Sequence, residues 1–181
     1  MRYMLPFILF IFIFSPSAQA YEANEVRELL KTKIDSVTVL LQDKTLDRAL
    51  RDNQIIDIVT PLFDYQTMAK LSLGKKYWPN LSDEKRQAFS DLFITRLQES
   101  YLSKLDLYSD EKVVFGEPQM NGKKLKLPST LVAKQNRIEM LYKFYRSDSG
   151  WKIYDVEIGG VSIIQTYRSQ FDEILGTGDI D

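Results

Sequence analysis

Apolar residues recur along this chain at two different periods, and the change from one to the other divides it in two. Over residues 22–42, Val26, Leu29, Leu30, Ile34, Val37, Leu40 and Leu41 return at three- and four-residue steps, which lines them up along one helix stripe. A second helix is predicted over residues 46–60, with Leu50, Ile55, Ile56 and Val59 facing in and Pro61 ending or kinking it. Asp64 is placed to cap a short helix through Met68 and Leu71 that closes at Gly74. Tyr77, Trp78 and Pro79 then form a turn packed by its aromatics. Ser82 caps the longest helix, with Asp83 and Glu84 in its first turn. There Phe89, Leu92, Phe93, Leu97, Tyr101 and Leu105 carry the apolar face through about six turns.

After Asp110 the period becomes two. Val113 and Phe115 alternate with Lys112 and Val114, and Leu125 and Leu127 alternate with Lys124 and Lys126. Ile138, Met140, Tyr142 and Phe144 alternate with Arg137, Glu139, Leu141 and Lys143. Trp151, Ile153, Tyr154, Val156 and Ile158 mix aromatic and β-branched side chains, as in a well-covered strand. Asn121-Gly122, Gln135-Asn136 and the stretch 147–150 are turn signals between these runs. Four consecutive strands result, most simply an antiparallel meander. Gly159-Gly160 breaks the last one, and Ser162 with Gln165 three residues on matches a capping box. Val161, Ile164, Arg168, Phe171 and Leu175 follow as the inner face of a last helix folded over the sheet. The predicted fold class is α+β, with helices packed on one face of a four-stranded antiparallel sheet.

The first twenty residues stand apart from this pattern. Arg2 is a short positive start, residues 5–14 are apolar apart from Pro6, and Ala18-Gln19-Ala20 is an A-x-A cleavage site. This reads as a secretory signal peptide, too short for a membrane span of about 20 residues. Export to the periplasm is expected, with cleavage after Ala20 and a single domain over residues 21–181. The remaining 23 basic and 25 acidic residues give no sign of a nucleic-acid partner. The tail at 178–181 is acidic and expected to fray.

Composition narrows the chemistry further. The chain has no cysteine, which excludes disulfides, thiolate metal sites and a lipoprotein-type lipid anchor. It has no histidine, which excludes Ser-His-Asp triads, His-ligated zinc and histidine acid/base catalysis. No cofactor or metal is expected, and no catalytic residue is assigned. Asp155 and Glu157 share a strand face, and a strand edge or a pairing of Asp155 with Arg168 accounts for them better than an active site does. Arg168 lies on an apolar helix face, where a charge is usually paired, clamps a carbonyl, or meets a ligand anion. Lys123, Lys124 and Lys126 are a small basic run, read as solvated strand residues or a dock for an acidic group.

Two stretches carry a family resemblance. The run W-K-I-Y-D-V-E-I-G-G-V-S-I-I-Q-T-Y-R-S-Q-F at 151–171 resembles the C-terminal signature of the MlaC-type proteins, long labelled toluene-tolerance proteins. Gly159 stands where many relatives carry an acidic residue. The segment I-V-T-P-L-F-D-Y-Q-T-M-A-K-L-S-L-G-K-K-Y-W at 58–78 resembles the other family segment, so the similarity spans nearly the whole mature chain. The resemblance implies a periplasmic phospholipid-binding shuttle, monomeric and not an enzyme, whose lipid tails lie in a cavity between sheet and helices. It implies two partners, an outer-membrane lipoprotein complex and an inner-membrane MCE-protein/ABC-transporter complex, and a role in outer-membrane lipid asymmetry. On that implication the residues expected around the lipid are Phe93, Leu97, Tyr101, Met140, Tyr142, Ile153, Ile163, Tyr167, Arg168 and Phe171. Periodicity alone leaves the apolar ones open between packed core and cavity lining. An enzyme of a related cone-shaped α+β fold and a dry interaction module are the alternative readings.

Overall fold

The computed structural model describes residues 16–105, 111–133 and 136–176. The apolar start before residue 16, Gln135 of the predicted turn and the acidic tail lie outside the described residues. Helix α1 runs over Pro16–Gln42, so the expected cleavage point falls within its first two turns. It is followed by α2 (Arg48–Val59), α3 (Tyr65–Tyr77) and α4 (Asp83–Leu105). Asp47 and Asp64 cap α2 and α3 by accepting from the amides of Leu50 and Thr67. Ser82 Oγ accepts from the Lys85 amide at the start of α4, as predicted. Short 3-10 turns carry the two prolines between these helices, Thr60–Leu62 and Trp78–Asn80.

The sheet has six strands rather than four: β1 (Lys112–Phe115), β2 (Gln119–Asn121), β3 (Lys124–Val132), β4 (Arg137–Ser147), β5 (Gly150–Ile158) and β6 (Val161–Ser162). All pairs are antiparallel, in the order β1-β3-β4-β5-β6, with β2 also on β3. β1 and β2 share one edge of β3, end to end. The two added strands hold three and two residues, too few to display a period of two. The α+β class stands, and so does the packing of helices on the sheet.

Register fixes which side of the sheet is covered. Leu125, Leu127 and Ser129 of β3 lie opposite Phe144, Tyr142 and Met140 of β4 and share the helix-facing side. Leu125, Leu127, Tyr142 and Phe144 join Val26 and Leu30 of α1, Met68 and Ala69 of α3, and Phe93 and Leu97 of α4 in one apolar cluster. A bulge interrupts β4–β5: Lys143 faces Asp155 and Phe144 faces Ile153, which leaves Tyr154 as the extra residue. Ile153 and Val156, three apart, are consequently both buried.

Four predicted inward residues are exposed. Leu29 is 46 % exposed, Leu50 50 %, Leu92 72 % and Val161 61 %. The covered stripe is narrower than the apolar one: on α4 it follows Phe93 and Leu97 at four-residue spacing, and Leu92 lies a further 100° round. Val161 belongs to β6, outside the helix altogether.

Gly159 and Gly160 are the turn of the β5–β6 hairpin and both have positive φ, 58° and 80°. The last helix, α5 (Ile163–Gly176), starts two residues after the hairpin turn. A Cβ at Gly160 would meet nothing within 4 Å, so the constraint there is purely backbone. Gly160→Val is expected to destabilise by more than about 1 kcal/mol in urea denaturation. An unchanged midpoint would show that this turn tolerates a branched side chain.

Candidate functional site

The inner face of the sheet meets an aromatic wall built by α4 and α5. Phe89 and Phe93 lie one turn apart on α4, with ring centroids 6.2 Å apart. Tyr167 and Phe171 lie one turn apart on α5 and stack at 6.0 Å. The pairs interlock edge to face, Phe93 on Tyr167 at 5.2 Å and Phe89 on Phe171 at 5.3 Å. Trp78 closes the row against Phe89 at 6.3 Å. Of the residues expected from the sequence, Phe93, Leu97, Tyr142, Ile153 and Ile163 are buried members of the apolar cluster. Tyr101, Met140, Tyr167 and Phe171 are partly buried and pack against it. Those nine side chains therefore belong to one apolar cluster between helices and sheet. Phe89 and Trp78 belong to the same wall and were absent from that set. Phe89 was legible only as one more residue of the α4 stripe, and Trp78 as part of a turn.

Burial governs the phenols here. The Tyr142 hydroxyl is pushed up to about 12 by burial, and burial also raises Tyr101. Tyr142 Oη donates to the thioether of Met140 at 3.9 Å, and Ser129 lies close enough to offset a little of the burial effect.

Arg168 is the exception among the ten. Its Nε donates to the Leu71 carbonyl at 3.0 Å and its Nη2 donates to the same oxygen. The reason lies in α3, which breaks at Gly74 (φ 80°, ψ 175°). Such a break frees the carbonyls of the turn before it, and a guanidinium from α5 fills the gap. A Cβ on Gly74 would lie 3.4 Å from Arg168 Nε. Arg168 is thus a carbonyl clamp between α3 and α5, and no carboxylate pairs with it among the described residues.

The expected partner of Arg168, Asp155, sits elsewhere. Its Oδ2 accepts from Lys143 Nζ at 2.9 Å and from Ser162 Oγ at 2.8 Å, and its Oδ1 accepts from the Ile164 amide at 3.3 Å. Ser162 Oγ in turn accepts from the Gln165 amide at 3.1 Å, the predicted cap. Lys143 also meets Glu157 at 2.5 Å. The carboxylates of β5 therefore neutralise Lys143 of β4, their cross-strand neighbour, and one of them anchors the start of α5. Lys143 stays protonated: burial opposes its charge, and the Glu157 and Asp155 bonds more than offset that and raise it.

A second latch ties α3 to the sheet. Asp64 accepts from the Thr67 amide at 2.9 Å and from Tyr145 Oη, and its own amide donates to the Ile153 carbonyl at 2.9 Å. Partial burial pushes the Asp64 carboxyl up, but the bonds from Tyr145 and Thr67 and the charge of Lys152 hold it below its ordinary value. A depressed carboxyl contributes stability above its unfolded value, and that contribution fades as pH falls through the folded one. Tyr145→Phe should therefore cost about 1 kcal/mol near neutrality and progressively less below about pH 4. A difference independent of pH in acid titrations of urea stability would contradict this.

The MlaC protein family matches residues 31–181. The fold is similar to that of a phospholipid-binding protein from Ralstonia solanacearum, solved in complex with a phospholipid. The two are 22% identical, with a TM-score of 0.74, over 82% of this chain and 86% of that one. No curated protein matches the chain.

Proposed function

The chain belongs to the MlaC family, and from that we propose that it is an exported phospholipid carrier. In this reading the acyl tails lie between the aromatic wall of α4 and α5 and the inner face of β3–β5. The observation that carries it is that wall: Phe89, Phe93, Tyr167 and Phe171 interlock as one aromatic group within the apolar cluster that also takes in the inner face of the sheet. The solved relative of like fold, a phospholipid-binding protein, supports the same occupant. Each buried methylene gains about 0.8 kcal/mol, so two long tails amount to a gross gain of about 20 kcal/mol. Such a cargo leaves slowly unless a partner opens the protein or offers an equally apolar path. An outer-membrane lipoprotein complex as donor or acceptor, and an inner-membrane MCE-protein/ABC-transporter complex at the other end, fit that need. Maintenance of outer-membrane lipid asymmetry follows from such a circuit.

The polar groups near the wall favour binding over catalysis, because they are committed to structure. Asp155 and Glu157 hold Lys143 and α5, Asp64 holds Tyr145 and α3, and Arg168 holds Leu71. Arg168 spends Nε and Nη2 on Leu71, and in this reading its remaining nitrogen, Nη1, is the group to meet a headgroup oxygen. Export rests on the apolar start and the A-x-A site, with the mature chain beginning at Tyr21. The test is uptake: mature protein is incubated with vesicles of phosphatidylethanolamine and phosphatidylglycerol carrying a fluorescent phospholipid, then separated from them. Fluorescence should leave with the protein in near-stoichiometric amount. Protein that emerges without lipid would refute the carrier reading.

A further inference from the structure

One polar spot lies on the otherwise apolar inner face of the sheet. Ser129 is 4 % exposed, and its hydroxyl has no hydrogen-bond partner among the described residues. It shares the helix-facing side with Leu125 and Leu127, and Met140 is its cross-strand neighbour. The Tyr142 hydroxyl lies beside it, 7 % exposed as a residue, and spends its proton on the Met140 sulfur at 3.9 Å. A thioether is a weak acceptor. Ser129 Oγ lies close enough to Tyr142 to act on its hydroxyl but makes no hydrogen bond of good geometry, in a place where an unmade hydrogen bond is costly.

The chemistry missing at this spot is specific. The Ser129 proton is unused, and an oxygen that accepts without bringing a further donor into this apolar face would take it. An ionised oxygen would need a cation, and the neighbours across and along the strands are Leu127, Leu131, Met140 and Phe115. A neutral acceptor joined to hydrocarbon is an acyl-ester carbonyl. We propose that Ser129, with the Tyr142 hydroxyl beside it, forms a subsite that takes the ester carbonyl of one acyl chain of the bound lipid. The inference rests on the carrier reading above and adds to it a means of telling ester-linked lipids from ether-linked ones. Ser129 is the group that reads the linkage, and the aromatic wall supplies most of the affinity.

The test is competition between two lipids that differ only at the linkage. Mature protein is loaded from vesicles holding equal amounts of diacyl phosphatidylethanolamine and its dialkyl-ether analogue with the same chain lengths, and bound lipid is quantified by mass spectrometry. Wild-type protein should take the diester about five-fold over the diether, the worth of one hydrogen bond. Ser129→Ala should take less of the diester, with its uptake of the diether held and the preference reduced to less than two-fold. Ser129→Thr, which keeps the hydroxyl on a side chain suited to a strand, should retain it. Equal uptake of both lipids by wild-type protein, or a preference unchanged in Ser129→Ala, would overturn the subsite and leave the carrier reading standing. Uptake of neither lipid by wild-type protein would overturn both.

Discussion

Met140→Glu is expected to empty the protein of lipid while leaving it folded. Met140 is partly buried, packs against the apolar cluster and lies beside Ser129 and Tyr142 on the inner face of the sheet. A carboxylate there meets hydrocarbon when lipid is present, and burying that charge costs several kcal/mol. Each 1.4 kcal/mol is a factor of ten in binding, so lipid affinity should fall by at least one hundred-fold. In the empty protein the same carboxylate meets space that water can enter, so folding suffers far less. Co-purified lipid and thermal unfolding, measured in parallel on the variant, separate the outcomes. Loss of the fold would mark Met140 as packed core. A folded variant with its full lipid would place the tails elsewhere.

Asp155→Ala is expected to give the largest loss of stability of any single polar substitution in the β5–α5 region. Asp155 is 5 % exposed and accepts three hydrogen bonds, from Lys143, Ser162 and the Ile164 amide. Its removal leaves a buried amide and hydroxyl without their acceptor and halves the negative charge around Lys143. Removing one partner of a buried ion pair costs about 3–5 kcal/mol, and the Glu157 contact that Lys143 keeps places the expected value near the lower end, about 3 kcal/mol. Asp155→Asn keeps one oxygen, enough to accept from the Ile164 amide or from Ser162 but not from both, and should lose less than Asp155→Ala. The shift in the urea midpoint measures both. A midpoint that moves by less than the equivalent of about 1 kcal/mol for Asp155→Ala would show that α5 is anchored by its apolar face alone.

The helices and main strands were legible because burial imposes a period on long elements. The Asp64, Ser82 and Ser162 caps were legible for a related reason: each needs only a side chain at a fixed offset from an amide. What escaped the sequence is set by tertiary pairing. β2 and β6 exist because β3 and β5 offer edges to them, and three or two residues carry no period of their own. The bulge at Tyr154 shifts Asp155 opposite Lys143, so the choice of Lys143 over Arg168 as its partner depends on register and not on spacing along the strand. Arg168 is drawn instead to a helix break that only Gly74, on a different element 94 residues earlier, explains. The apolar candidate residues were legible as inward-facing because the inner faces of α4, α5 and β4 are each periodic. Their convergence around one region required the fold.

Phospholipid held in the apolar region between the helices and the sheet is what the proposed function requires. Native mass spectrometry of the mature protein, purified from its exported fraction without detergent, tests it most directly. A species heavier than the polypeptide by the mass of one phospholipid is expected, which dissociates on activation to give the bare chain and an identifiable diacyl lipid. A single species at the polypeptide mass, from protein shown by its unfolding transition to be native, would contradict it.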